Sequence, residues 1–147
     1  MRTHAWGPAL LRVAVGAVFA AHGAMKLFQI GPEALAGSFA SIGIPLAAVN
    51  AWLVIAIELL GGAAMIAGLG TRVVAALFAA VMVVAIGTVH GQHGFFLPNG
   101  YEYNLVLLAA TIALALQGAG AFALDNVIST RIRDPRSAIR GPRKAVA

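Results

Sequence analysis

The sequence predicts an all-α integral membrane protein folded as a four-helix bundle, and three observations predict it. Of the 147 residues, 61 % are hydrophobic and only 10 % charged, with a mean hydropathy of +0.90, whereas a soluble domain carries about a quarter charged residues. Four long apolar runs are separated by short breaks rich in glycine, proline and polar residues. Six of the ten Lys and Arg residues lie after position 130, so the +5 net charge reads as attraction to anionic membrane lipid and not to nucleic acid. The length suits one domain: residues 1–128 as the four-span unit, and 129–147 as a basic, disordered cytoplasmic tail. The chain has no cysteine, which excludes disulfides, iron–sulfur clusters, thiolate zinc sites and thiol catalysis within it.

The first helix is expected from Pro8 to Phe28, 21 residues or ~32 Å as a helix, enough to span a bilayer. It is therefore taken as a mature span and not a cleaved signal peptide, although Ala21-His22-Gly23 offers a small-x-small pattern. Pro8 suits a first helical turn, and Arg12 lies where it can snorkel to the interface. Gly16, Ala20 and Ala24 recur every four residues and mark a face for close helix approach. His22 and Lys26 share a face at the other end. Residues 30–44, broken by Gly31-Pro32, Gly37 and Gly43, read as a short interfacial helix or loop.

The second span follows Pro45, ends near Leu69 and contains Glu58, with Gly61 and Gly62 on the same face. Thr71 is expected to cap the third span, which reaches about Val89 with Ala76, Ala80, Val83, Gly87 and His90 along one stripe. The fourth runs from Glu102 to Leu116, with Asn104 and Thr111 on one face. Beyond Gly118-Ala119-Gly120, residues Ala121 to Val127 form a short amphipathic end whose Asp125 is a candidate partner for Arg12. Arg2, Arg12, Arg72 and the tail fall on one side and only Lys26 on the other, so both termini are expected to be cytoplasmic.

The stretch 90–104 organises the chain chemically. It gathers His90, His93, Asn99, Tyr101, Glu102, Tyr103 and Asn104 between two apolar runs. His22, Lys26 and Glu58 can be placed at a similar depth. A carboxylate inside a span costs ~2.5–3.5 kcal/mol on insertion scales, so Glu58 should face the bundle interior and find a partner, either Lys26 or a protonated His22. Such a pair serves a ligand or proton, or equally locks two helices together. Lys26 alone is explained by snorkelling. Glu102 suits a helix N-terminus, and Tyr101 and Tyr103 suit a membrane interface. No metal site is expected; His22, His90 and His93 are the weak candidates, and their spacing matches no strong metal motif.

Taken in order, His22-Gly23-x-x-Lys26-Leu27-Phe28, Glu58-Leu59-Leu60-Gly61-Gly62, Gly70-Thr71-Arg72, His90-Gly91, Gly94-Phe95-Phe96, Asn99-Gly100-Tyr101-Glu102-Tyr103 and Leu124-Asp125 resemble the DoxX family over roughly residues 9–126. The resemblance implies a bacterial inner-membrane protein of four helices. It also implies membrane redox chemistry, since relatives include a subunit of a thiosulfate:quinone oxidoreductase and a partner in a mycobacterial oxidoreductase complex. No cofactor fingerprint equips the chain to act alone, so the expectation is an accessory subunit of a quinone-linked oxidoreductase whose electrons come from a partner redox protein. His22, Lys26, Glu58, His90, Tyr101, Glu102 and Tyr103 would hold or protonate a quinone headgroup. A non-catalytic scaffold and a small-solute or proton transporter are the alternatives, and the small-residue faces permit a homo-oligomer.

Overall fold

The computed structural model describes residues 5–133, with side chains as far as Thr130, and the described residues are all helical or loop, with no strand. Six α-helices follow one another: α1 Trp6–Met25, α2 Pro32–Ser41, α3 Ala47–Ala67, α4 Thr71–Ala85, α5 Glu102–Gln117 and α6 Leu124–Arg133. Two of them continue into π turns at the same end of the molecule: α1 through Lys26–Ile30 and α4 through Ile86–His90. With these extensions, Trp6–Ile30, Ala47–Ala67 and Thr71–His93 are each long and apolar enough to cross a membrane. Helix α5 is apolar but shorter, 16 residues or ~24 Å.

Helices α1, α3, α4 and α5 close a ring in which each packs on the next and α5 returns to α1, while α2 lies on the outside of α3. Inside the ring Val15, Phe19, Met65, Ala75, Phe78, Met82, Leu107 and Leu114 form the core. Phe19 of α1 stacks on Phe78 of α4 with ring centroids 3.7 Å apart and planes at 5°. Asn104 and Thr111 are both buried on the inner face of α5, as their spacing predicts. A second cluster, Leu35 with Ala51 and Ile55, fastens α2 to α3.

The α1–α3 crossing is built from absent side chains. A Cβ on Gly16 would meet the Gly62 carbonyl oxygen at 2.9 Å, and one on Gly62 would meet the Ala20 nitrogen at 2.5 Å. Gly23, outside the predicted small-residue face, is as tight: its Cβ would lie 2.5 Å from the Leu59 nitrogen. Close approach of this kind replaces the hydrophobic drive that lipid cannot supply between helices.

The structure corrects one expectation and adds detail to two. The buried face of α4 is Thr71, Ala75, Phe78 and Met82, and the stripe through Ala76, Ala80 and Val83 is exposed. In a helix apolar all round, hydrophobic periodicity does not distinguish the face toward protein from the face toward lipid. Thr71 is the first residue of α4 and not its cap; Gly70, at φ +60°, holds the N-cap position. Helix α6 begins at Leu124 and continues to Arg133, so the boundary expected at 128 falls inside a helix. The remainder of the basic tail, 134–147, lies outside the described residues.

Candidate functional site

Helix α1 leaves its α-helical register at Lys26, and the π turn closes with the Gly31 amide donating to the Lys26 carbonyl at 3.1 Å. Insertions of this kind recur at functional positions because they re-aim the side chains around them. The Lys26 ammonium donates to both carboxylate oxygens of Glu58, each at 2.5 Å. Glu58 is only 2 % exposed, while the Lys26 side chain keeps 18 % of its surface open. The close passage of Gly23 over Leu59 brings α1 near enough for this contact. A pair of this form neutralises the carboxylate inside a span and joins two helices at one point. It is the one ion pair among the described residues. Lys26 is therefore anchored on the bundle and does not simply snorkel.

His22 sits one turn before Lys26 but is exposed, and its ring faces Tyr103 at the start of α5 with centroids 6.4 Å apart. Tyr103 is 38 % exposed. Among the described residues neither side chain makes a hydrogen bond, so an imidazole and a phenol stand together with their polar atoms free. This pair lies on the α1–α5 edge, the closing contact of the ring.

The other residues of the expected layer are engaged in folding the loop. His90 ends the second π turn and its Nδ1 lies 3.0 Å from the Asn99 carbonyl, which makes Nδ1 the protonated, donating nitrogen. Glu102 turns back to accept the Leu97 amide at 2.9 Å, while its own amide donates to the Phe95 carbonyl. Tyr101 packs edge-on against Phe95 at 5.4 Å. His93 is exposed in a single 3₁₀ turn. Among the described residues no three His, Asp or Glu side chains gather as metal ligands; His22, His90 and His93 are not brought together. The expected layer thus divides into an ion pair, a free His–Tyr edge and a self-bonded loop.

A second polar node lies at the opposite end, and the sequence pattern barely hints at it. Arg12 is 2 % exposed. Its Nη1 donates to the carbonyls of Met65 and Ile66 at 2.8 and 2.7 Å, and Nη2 reaches the Ala121 carbonyl at 3.4 Å. Both belong to the last turn of α3, where carbonyls run short of intrahelical partners; Met65 also accepts the Gly68 amide at 3.1 Å. Arg12 therefore caps α3 from α1 and does not snorkel. Gly68 closes α3 in the left-handed region at φ +74°, and a Cβ there would strike Arg12 Nη1 at 2.5 Å. Asp125 does not form an ion pair with Arg12. Its two oxygens accept the amides of Gly70 and Thr71 at 2.7 and 3.0 Å, capping the start of α4, and its own amide donates to the Gly68 carbonyl. Burial pushes the Asp125 carboxyl up, but the Thr71 and Gly70 amides and the Arg12 charge outweigh it and hold the pKa below the usual 3.8. The available signal was an arginine inside an apolar run together with an acidic residue beyond the last span.

The DoxX family model matches residues 7–91. The chain is 42 % identical over 122 residues to a Bacillus subtilis protein named "Putative oxidoreductase CatD", covering 83 % of this chain and 87 % of that one. It is 34 % identical over 145 residues to an uncharacterized membrane protein of Mycobacterium tuberculosis, covering 87 % and 86 %. An uncharacterized protein of Haemophilus influenzae is 33 % identical over 122 residues, covering 80 % and 87 %. No solved structure matches the chain.

Proposed function

This chain belongs to the DoxX family, and on that premise we propose that it is an accessory membrane subunit of a quinone-linked oxidoreductase system. The observation that carries the reading is the free His22–Tyr103 edge one turn from the Lys26–Glu58 pair. A quinone headgroup presents two carbonyl acceptors and needs donors at the rim of the hydrocarbon. An imidazole N–H and a phenol O–H supply donors of that kind, and the buried ion pair fixes α1 beneath them. The name of the Bacillus subtilis relative, an oxidoreductase, supports a redox setting, and the electrons come from a partner protein. In this reading α5 is the fourth span, its short length accommodated by a bilayer that thins or by its flanking residues. Both termini lie in the cytoplasm of a bacterial inner membrane, where Arg12, Arg72 and the basic tail gather.

The test is extraction of quinones from protein purified in mild detergent, followed by mass spectrometry. Wild type should retain quinone, and His22→Ala and Tyr103→Phe should each lose it while staying folded. Equal recovery from all three would sink the reading. A scaffold role is the second reading, favoured by the ion pair and the glycine-lined crossing that lock α1 to α3. It predicts that Glu58→Gln lowers the amount of folded protein without changing turnover per assembled complex.

A further inference from the structure

Helix α6 is attached to the bundle the wrong way round for a soluble protein. The side chains that hold it are polar: Asp125 caps the α3–α4 turn, and Asn126 Nδ2 donates to the Gly120 carbonyl at 2.7 Å. Its apolar residues Leu124, Val127 and Ile128 fall at helical spacing on another face, and all three are exposed. An amphipathic helix at an aqueous surface turns its apolar stripe to the core; this one turns it away. Asp125, Asn126, Ser129, Thr130, Arg131 and Arg133 make the helix too polar to enter hydrocarbon as a span. At the same end Trp6 and Phe122, both exposed, meet edge-on at 5.1 Å, the kind of aromatic pair that settles at a headgroup boundary. The sequence then places Arg131, Arg133, Arg136, Arg140, Arg143 and Lys144 against a single acid, Asp134.

We propose that α6 is an interfacial helix that docks its Leu124–Val127–Ile128 face onto anionic lipid headgroups of the membrane that holds the spans. The apolar stripe supplies insertion between headgroups, and the basic residues from Arg131 onward supply the charge match. The polar clamp at Asp125 fixes the helix beside the α3–α4 turn, and Asn126 ties it to the preceding segment, so its apolar face is presented without α6 packing into the ring. The proposal does not depend on any redox role.

The chain lacks cysteine, so Ile128→Cys provides a unique attachment point for an environment-sensitive fluorophore on the full-length protein. The labelled protein is placed in nanodiscs of phosphatidylcholine alone or mixed with phosphatidylserine. The expected result is blue-shifted, brighter emission in the mixed discs, reversed by added salt. Neutralising Arg131 and Arg133 to Gln should lower the docked-to-free ratio roughly fivefold per charge, with circular dichroism showing the bundle intact. Identical emission in the two lipids would overturn the proposal, because the anionic headgroup would then contribute nothing. Emission that depends on the number of copies per disc would overturn it too, since the face would be covering a second copy.

Discussion

At the Arg12 end, a guanidinium is almost completely enclosed and its two terminal nitrogens donate to backbone carbonyls of α3 and of the segment leading to α6. At the Lys26 end, a carboxylate is enclosed just as deeply, but its partner reaches partly into the open and stands beside a histidine and a tyrosine with no bonds of their own. Both ends bury one charge in a bundle that has few. They differ in what surrounds it. The partners of Arg12 belong to the end of α3 and the turn before α6, so the chemistry there is consumed by joining helix ends. The Lys26–Glu58 pair closes no helix terminus, and the groups near it remain available to something outside the chain. Bonds to helix ends mark the first as architecture; the free imidazole and phenol at the second carry the proposed ligand site.

The largest test of this contrast is Arg12→Ala. It removes the donor shared by the Met65 and Ile66 carbonyls, one buried and one half-buried bond, at a cost of about 3 kcal/mol. Unfolding followed by circular dichroism in detergent should show it, and Arg12→Lys should recover only part, because an ammonium lacks the planar fork that serves several carbonyls at once. A cost below that of any change at Lys26 would reverse the ranking of the two ends. Next comes Lys26→Met, expected to cost about 2 kcal/mol, less than a fully buried pair because Lys26 is partly open. Adding Glu58→Leu should bring stability back toward wild type, since the isolated carboxylate and not the lost attraction is the costly part. Failure of that rescue would mean that Glu58 has a structural partner besides Lys26.

How far the sequence discloses each end follows from the same physics. The helices are legible because apolar runs of spanning length admit few alternatives, and α1, α3, α4 and α5 start or stop within a few residues of expectation. Glu58 is legible because a carboxylate within a span is costly wherever it points. Its choice of Lys26 over His22 is not legible, because the two side chains share a helix face and only the π turn at Lys26 separates them. The inward face of α4 is hidden for a different reason: with Ala, Val and Leu on all sides, lipid and protein look alike to the pattern. Arg12 is misread because snorkelling is the ordinary fate of an arginine near a span end, and only the fold brings Gly68 and Ala121 within its reach. The stretch 90–104 stands out by composition, yet several of its polar groups bond within the loop itself.

A smaller effect belongs to Asp125. Its cap on Gly70 and Thr71 is worth about 1 kcal/mol, so Asp125→Ala should lower stability by that amount at neutral pH. The folded carboxyl has a depressed pKa, hence its contribution is complete above the unfolded value and is lost as pH falls through the folded one. Wild type and Asp125→Ala should therefore differ at neutral pH and converge in strongly acidic solution, below the ordinary value of 3.8. A gap between them that persists unchanged in acid would show that the side chain acts through packing and not through its charge.

The smallest expected change in stability sharpens the contrast most. His22 and Tyr103 are exposed and unbonded, so His22→Ala and Tyr103→Phe should each shift stability by less than about 0.5 kcal/mol. Arg12→Ala should be unstable and Tyr103→Phe fully folded, although both remove hydrogen-bond donors from the same small bundle. If Tyr103→Phe proves as costly as a buried substitution, the His22–Tyr103 edge is another structural joint, and the donors at this end serve the fold as fully as those around Arg12. If it folds like wild type yet no longer retains quinone, the phenol is held in place by α5 for a partner that is not part of the chain. Stability and retention then separate at one hydroxyl, which no joint between helices would allow.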